Sequence, residues 1–122
     1  MRLDLDESSS APLSEQIAAA VRGAIARGDL VAGQRLPSGR DLADASGVTL
    51  ETVQRGYRLL VDEGLVVSRV GRGTSVAPDV DPQRLSVVAD VDELVRRARR
   101  VGMSDEELTQ MVADRWSNGP RE

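Results

Sequence analysis

With 122 residues, 40% of them hydrophobic and 30% charged, the chain has the size and balance of one globular domain with an appendage. It holds no Cys and no His, which excludes disulfides and thiolate metal sites and removes the commonest general base, so neither an enzyme nor a metal or cofactor is expected. The net charge of −4 argues against a strongly basic nucleic-acid binder, but the acid is mostly peripheral: residues 13–77 carry eight Arg against seven acids, net +1, while residues 1–12 and 78–122 are net −2 and −3.

In chain order, residues 2–6 (RLDLD) alternate polar and apolar, the pattern of a short edge strand. The opening MRLDLDESSS is acidic and lacks the apolar core of a signal peptide. No run nears the ~20 apolar residues of a membrane span, which points to the cytoplasm. Pro12 suits a first helical turn, and Leu13, Ile17, Val21, Ala24 and Ile25 recur at helical spacing, predicting a helix over 12–27 that Gly28-Asp29 ends. Residues 30–36 read as a loop with a short strand. Ser38 opens a second helix, with Asp41 three residues on as a variant capping box, Leu42 and Ala43 on its buried face, and Ser46-Gly47 at its end. Val48 is expected to plug the core. Thr49 caps a third helix over 49–63, whose apolar stripe is Val53, Tyr57, Leu60 and Val61. Residues 65–70 then read as a strand, Gly71-Arg72-Gly73 as a turn, and Thr74-Ser75-Val76 as the return strand.

Pro78 and Pro82 mark a linker. Asp81-Pro82 starts a fourth helix over 82–101 with Leu85, Val88, Val91, Val95 and Ala98 at spacings of three and four. Gly102 breaks it. Ser104-Asp105-Glu106-Glu107 is a full capping box, opening a fifth helix with Leu108, Met111, Val112 and Trp116. The chain from Ser117 is expected to fray. The arginines at 96, 97, 99 and 100 read as a solvated face with ion pairs along the helix.

Two short helices joined by a tight turn and followed by a β-hairpin make a DNA-reading shape, in which the second helix of the pair enters the major groove. Here that helix is 49–63. Its apolar stripe faces the other helices, so Thr49, Leu50, Glu51, Thr52, Gln54 and Arg55 lie outward or at the border. Thr49 and Thr52 offer short hydroxyls to phosphate or base. Gln54 suits adenine, and Arg55 suits guanine or phosphate. Glu51 can only accept, so it either reads cytosine or repels the backbone. Leu50 either packs or meets a thymine methyl. Arg40, near the start of the second helix, and Arg72, at the hairpin tip, complete the candidate contacts, with Gly73 beside it.

The run Gly33-x-Arg35-Leu36-Pro37-Ser38-x-Arg40-x-Leu42-Ala43, then Gly47-Val48-Thr49, Thr52-Val53, Tyr57, Leu60, Glu63-Gly64-Leu65 and Gly71-x-Gly73-Thr74-x-Val76, closely resembles the winged-helix domain of GntR-family bacterial transcription regulators. The tail Val91-x-Glu93-Leu94, Ala98, Gly102-x-Ser104 and Glu107-Leu108 is similar to that of the YtrA-type subfamily, in which two helices mainly dimerise the protein. The family usually carries Arg and then a small polar residue after the residue that opens the recognition helix, where this chain has Leu50 and Glu51.

The expected fold class is therefore α+β: a winged helix-turn-helix DNA-binding domain over 1–78, then a two-helix dimerisation segment over 79–122. The short C-terminal piece cannot enclose a sizeable pocket alone, and its apolar stripes need a partner, so a homodimer through residues 82–116 is expected. Two-fold symmetry implies a palindromic operator in double-stranded DNA. The resemblance implies a repressor, often of its own operon with an ABC transporter. No small-molecule effector is indicated. The alternative is a winged helix used for protein contacts or RNA.

Overall fold

The computed structural model describes residue 3 and residues 5–119. Its elements are α1 (Leu13–Arg27), α2 (Gly39–Ser46), α3 (Leu50–Asp62), β1 (Val66–Arg69), β2 (Gly73–Val76), α4 (Pro82–Arg100) and α5 (Asp105–Asn118). They fall into two compact units, one up to Ser86 and one from Val87.

The first unit is a winged helix. Its core is built where α1 and α3 meet: Ile17, Val21 and Ile25 of α1 and Val53 and Leu60 of α3 are fully shielded from solvent, and Leu42 closes the core from α2. Burying each such side chain contributes about 1.5–3 kcal/mol. α1 and α3 approach tightly at Gly56, where a β-carbon would stand 2.9 Å from the Ser14 carbonyl oxygen and 3.0 Å from Ile17 Cγ2. Val48 is half-buried against this core, as expected of a plug.

Local signals set the helix ends. Gly28 takes the left-handed conformation after α1, and its amide and those of Asp29 and Leu30 satisfy the last carbonyls. The Ser38 hydroxyl accepts from the Asp41 amide at 3.0 Å, and Gly47 ends α2 at a φ of 71°. The Thr49 hydroxyl accepts from the Thr52 amide at 3.2 Å, capping α3.

β1 and β2 form an antiparallel hairpin with Val66 opposite Val76, Val67 opposite Ser75, Ser68 opposite Thr74 and Arg69 opposite Gly73. The expected loop-with-strand before α2 lies along its edge: Val76 donates to the Gln34 carbonyl at 2.8 Å, Leu36 to that of Thr74 at 2.8 Å, and Arg35 bridges Ser75. The turn differs from expectation by one residue at each side. Val70 leaves the strand to become a turn residue, and Gly73 opens the return strand. The Arg72 amide donates to the Arg69 carbonyl at 3.0 Å across Val70 and Gly71, whose positive φ is what a type II turn requires.

Of the expected edge strand at 2–6, Arg2 and Asp4 lie outside the described residues, and Leu3, Leu5 and Asp6 form no strand. Leu3 and Leu5 pack against the core instead. The Gln16 side chain pins this segment, accepting from the Asp6 amide and donating to the Asp6 and Ala11 carbonyls.

α4 is a single unbroken helix despite its β-branched run. Asp81 accepts from the Gln83 amide at its start, and Leu85 is buried in the first unit's core. In the second unit, the Ser104 hydroxyl caps α5 through the Glu107 amide at 3.1 Å. α5 continues through Asn118 rather than fraying from Ser117. Glu93 pairs with Arg96 at 2.8 Å, which holds its carboxyl below the usual range, while Arg97, Arg99 and Arg100 are exposed. Ala98 is buried, but no residue of α5 is, and Val87, Val88, Val91 and Leu94 of α4, Val101 after it, and Val112 and Trp116 of α5 are exposed, Trp116 at 89%.

Candidate nucleic-acid interface

The tight turn at Gly47 and the cap at Thr49 bring α2 and α3 together as a helix-turn-helix. Two contacts fix their geometry. The Tyr57 hydroxyl donates to the Pro37 carbonyl at 2.8 Å, tying the middle of α3 to the segment that leads into α2. Burial pushes this phenol up to about 12, so it stays a protonated donor at any ordinary pH. Leu50 lies against the start of α2, its Cδ1 3.0 Å from where a β-carbon on Gly39 would stand. Of the two readings of Leu50, packing is the one with a contact in the structure.

Between α3 and the hairpin runs a groove of about 470 Å³. Arg40, Leu50, Gln54, Tyr57, Arg58 and Val61 line its helical side, and Ser68 and Thr74, hydrogen-bonded to each other at 3.3 Å, line its hairpin side. Positions 50, 54, 58 and 61 follow one face of the helix at spacings of four and three. That explains a departure from expectation: Val61 is not part of the buried stripe but stands 39% exposed at the groove.

Strand pleating makes the hairpin two-faced. Ser68 and Thr74 turn to the groove, whereas Arg69, Gly73 and Ser75 line a second, smaller hollow together with Arg72 from the turn. Gly73 has a φ of 77°, and a β-carbon there would meet the Arg35 guanidinium at 3.1 Å. Glycine is required both by the backbone and by the arginine laid across it.

The candidate contacts thus divide. Arg40 and Gln54 share the groove. Thr49 and Thr52 stand at the start of α3, their hydroxyls 2.9 Å apart. Arg55 is exposed on a neighbouring stripe and paired with Glu51 at 3.1 Å. Arg72 and Gly73 lie in the wing, away from the groove. Sequence reasoning passed over Arg35, Arg58 and Arg69. Spacing alone pointed to Arg58, one turn after Gln54, but nothing local marked Arg35 as a neighbour of Gly73.

Ion pairing separates the arginines of residues 13–77. Arg22 is held by Glu63 at 2.7 Å, Arg27 by Asp29 at 3.1 Å, and Arg55 by Glu51. Arg35, Arg40, Arg58, Arg69 and Arg72 have no carboxylate partner among the described residues, and all five flank the groove or the wing. The weak net charge therefore understates the positive character of this face.

Comparison with known proteins places this geometry. Residues 13–76 match the family described as bacterial regulatory proteins of the gntR family. The repressor YtrA of Bacillus subtilis is 26% identical over 117 residues, covering 92% of this chain and 90% of that protein. The regulator Rv0792c of Mycobacterium tuberculosis is 36% identical over 101 residues, but this chain spans only 38% of its length. Among solved structures, YtrA from Sulfolobus acidocaldarius, a GntR-family transcription factor, aligns with a TM-score of 0.62 at 35% identity, covering 77% of this chain and 99% of that one. The DNA-binding domain of AraR in complex with operator ORX1 aligns with a TM-score of 0.57 at 26% identity, covering 63% of this chain and 99% of that one. The chain belongs to the GntR family of bacterial transcription regulators, in its YtrA-type subfamily.

Proposed function

We propose that this regulator binds a palindromic operator in double-stranded DNA as a homodimer and represses transcription there by occluding a promoter. The observation that carries this reading is the segregation of arginines within residues 13–77: among the described residues, Arg40 and Arg58 line the groove and Arg69 and Arg72 the wing without a carboxylate partner, where a duplex would lie, while Arg22 and Arg27 are paired away from both. Arg40 and Gln54 are the proposed base readers, Thr49, Thr52 and Arg55 the contacts at the α3 border, and Arg72 and Gly73 the wing contacts. The related YtrA of Bacillus subtilis is named a repressor, which supports that sense of regulation.

The homodimer rests on the second unit, where Val87, Val88, Val91, Leu94, Val101, Val112 and Trp116 leave apolar side chains exposed that a partner would cover. A two-fold dimer places half-sites about one DNA turn apart. No helix among the described residues is long and apolar enough to cross a membrane, which suits action in the cytoplasm. The subfamily resemblance adds control of its own operon, with an ABC transporter, as the target to test first.

The test is a mobility shift on the DNA upstream of the gene, across a salt series, beside sedimentation of the free protein. A shift retained against random competitor and a sedimenting dimer are expected. Equal binding to random DNA, or a monomer at micromolar concentration, overturns the corresponding part.

A further inference from the structure

We infer that Arg58 is a DNA contact of its own, a phosphate clamp between α3 and the wing. The inference rests on the DNA-binding reading above and adds to it a residue outside the first two turns of the recognition helix. Arg58 is exposed, lines the groove, and has no carboxylate partner among the described residues. It stands nine residues beyond the Thr49 cap, about 13 Å along the axis at 1.5 Å per residue. A helix that meets base edges with its N-terminal turns has, at that distance, left the groove floor and reached the sugar-phosphate wall.

The surroundings match that wall. Across the groove stand the hydroxyls of Ser68 and Thr74, donors suited to phosphate oxygens. Below lie Tyr57 and Val61, an apolar surface suited to deoxyribose. Neither Asp62 nor Glu63, the nearest acids along α3, lines the groove, Arg58 forms no ion pair with either, and Glu63 is taken by Arg22. The first turn of α3, Leu50 to Val53, supplies no cation of its own, and Leu50 packs against the start of α2, which leaves the charge on this face to Arg40 and Arg58.

A phosphate clamp and a base reader leave different signatures. Each phosphate neutralised steepens the dependence of log K on log salt by about 0.9. For the full-length protein on operator DNA, Arg58→Ala should weaken binding about five- to tenfold at low salt. It should weaken random DNA by the same factor and lower the salt slope by about one. Arg58→Lys should restore most of the slope, since a point charge suffices for phosphate. An unchanged melting temperature shows that the exposed side chain is not needed for folding. Unchanged affinity and slope in Arg58→Ala, with wild type binding normally, overturns the clamp and leaves the DNA reading intact. A loss confined to operator DNA also overturns it, by making Arg58 a base reader. Failure of the wild type to bind any duplex sinks both.

Discussion

Gly56→Ala is the sharpest test of how the helix-turn-helix is held. In an isolated helix the change is favourable, since alanine gains up to about 1 kcal/mol over glycine. In this fold the new methyl would meet the Ser14 carbonyl oxygen at 2.9 Å and Ile17 Cγ2 and Cβ at 3.0 and 3.1 Å. The first of these is backbone and the second is a fully buried branched side chain, so neither yields cheaply. Overpacking of this kind costs about 1–3 kcal/mol. The packing term exceeds the propensity term, and a net loss of about 1–2 kcal/mol is expected. For a unit of this size that is a fall in melting temperature of about 5–15 °C. Thermal unfolding followed by circular dichroism, at one fixed protein concentration because the proposed dimer would feed into stability, reads it directly. A melting temperature equal to or above wild type would refute the argument, since α1 and α3 would then have room between them at residue 56.

Other outcomes follow from single contacts. Tyr57 is the only tyrosine, so alkaline titration of phenolate absorbance reports it alone and should find it near 12. Because Tyr57 ionises near 10 in the unfolded chain and near 12 in the folded one, its contribution to stability should be constant below 10 and fall as pH rises between these values. Tyr57→Phe should abolish that fall while losing about 1 kcal/mol at neutral pH with the Pro37 hydrogen bond. Gly73→Ala and Gly71→Ala each force alanine to a positive φ, at about 1 kcal/mol, but only the former displaces Arg35. Gly73→Ala should weaken DNA binding the more in mobility shifts, and equal effects would make the Arg35 contact idle. Glu51→Gln releases Arg55 from an exposed pair worth only a few tenths of a kcal/mol. Operator affinity at low salt should rise, whereas a fall would show Glu51 accepting from a base.

What could be read from the sequence was what is settled locally. Caps at Ser38, Thr49 and Ser104, each with its acceptor-donor geometry, fix helix starts within four residues, and left-handed glycines at 28 and 47 fix two ends. Periodicity found Val53, Tyr57 and Leu60 but could not separate them from Val61, which lies one step around the helix and borders the groove instead. Alternation could not say whether Val70 ends the strand or begins the turn, because the register is decided across the hairpin at Arg69 and Gly73. The candidate site was legible as a set of residue types. Which arginines are left without anions was not, since Arg22 finds Glu63 across 41 positions of sequence.

The pleated hairpin carries a constraint on how this protein can vary. Its two faces hold different chemistry, hydroxyls toward α3 and arginine and glycine away from it, and successive residues alternate between them. Losing one residue at Val70 would leave Arg69 opposite Gly73 across a two-residue loop, so each strand keeps its two faces. The tip can therefore change length without scrambling the ribbon, whereas a one-residue slip inside either strand would turn Ser68 outward and invert the wing. Point substitution at Val70 or Arg72 remains free to retune it.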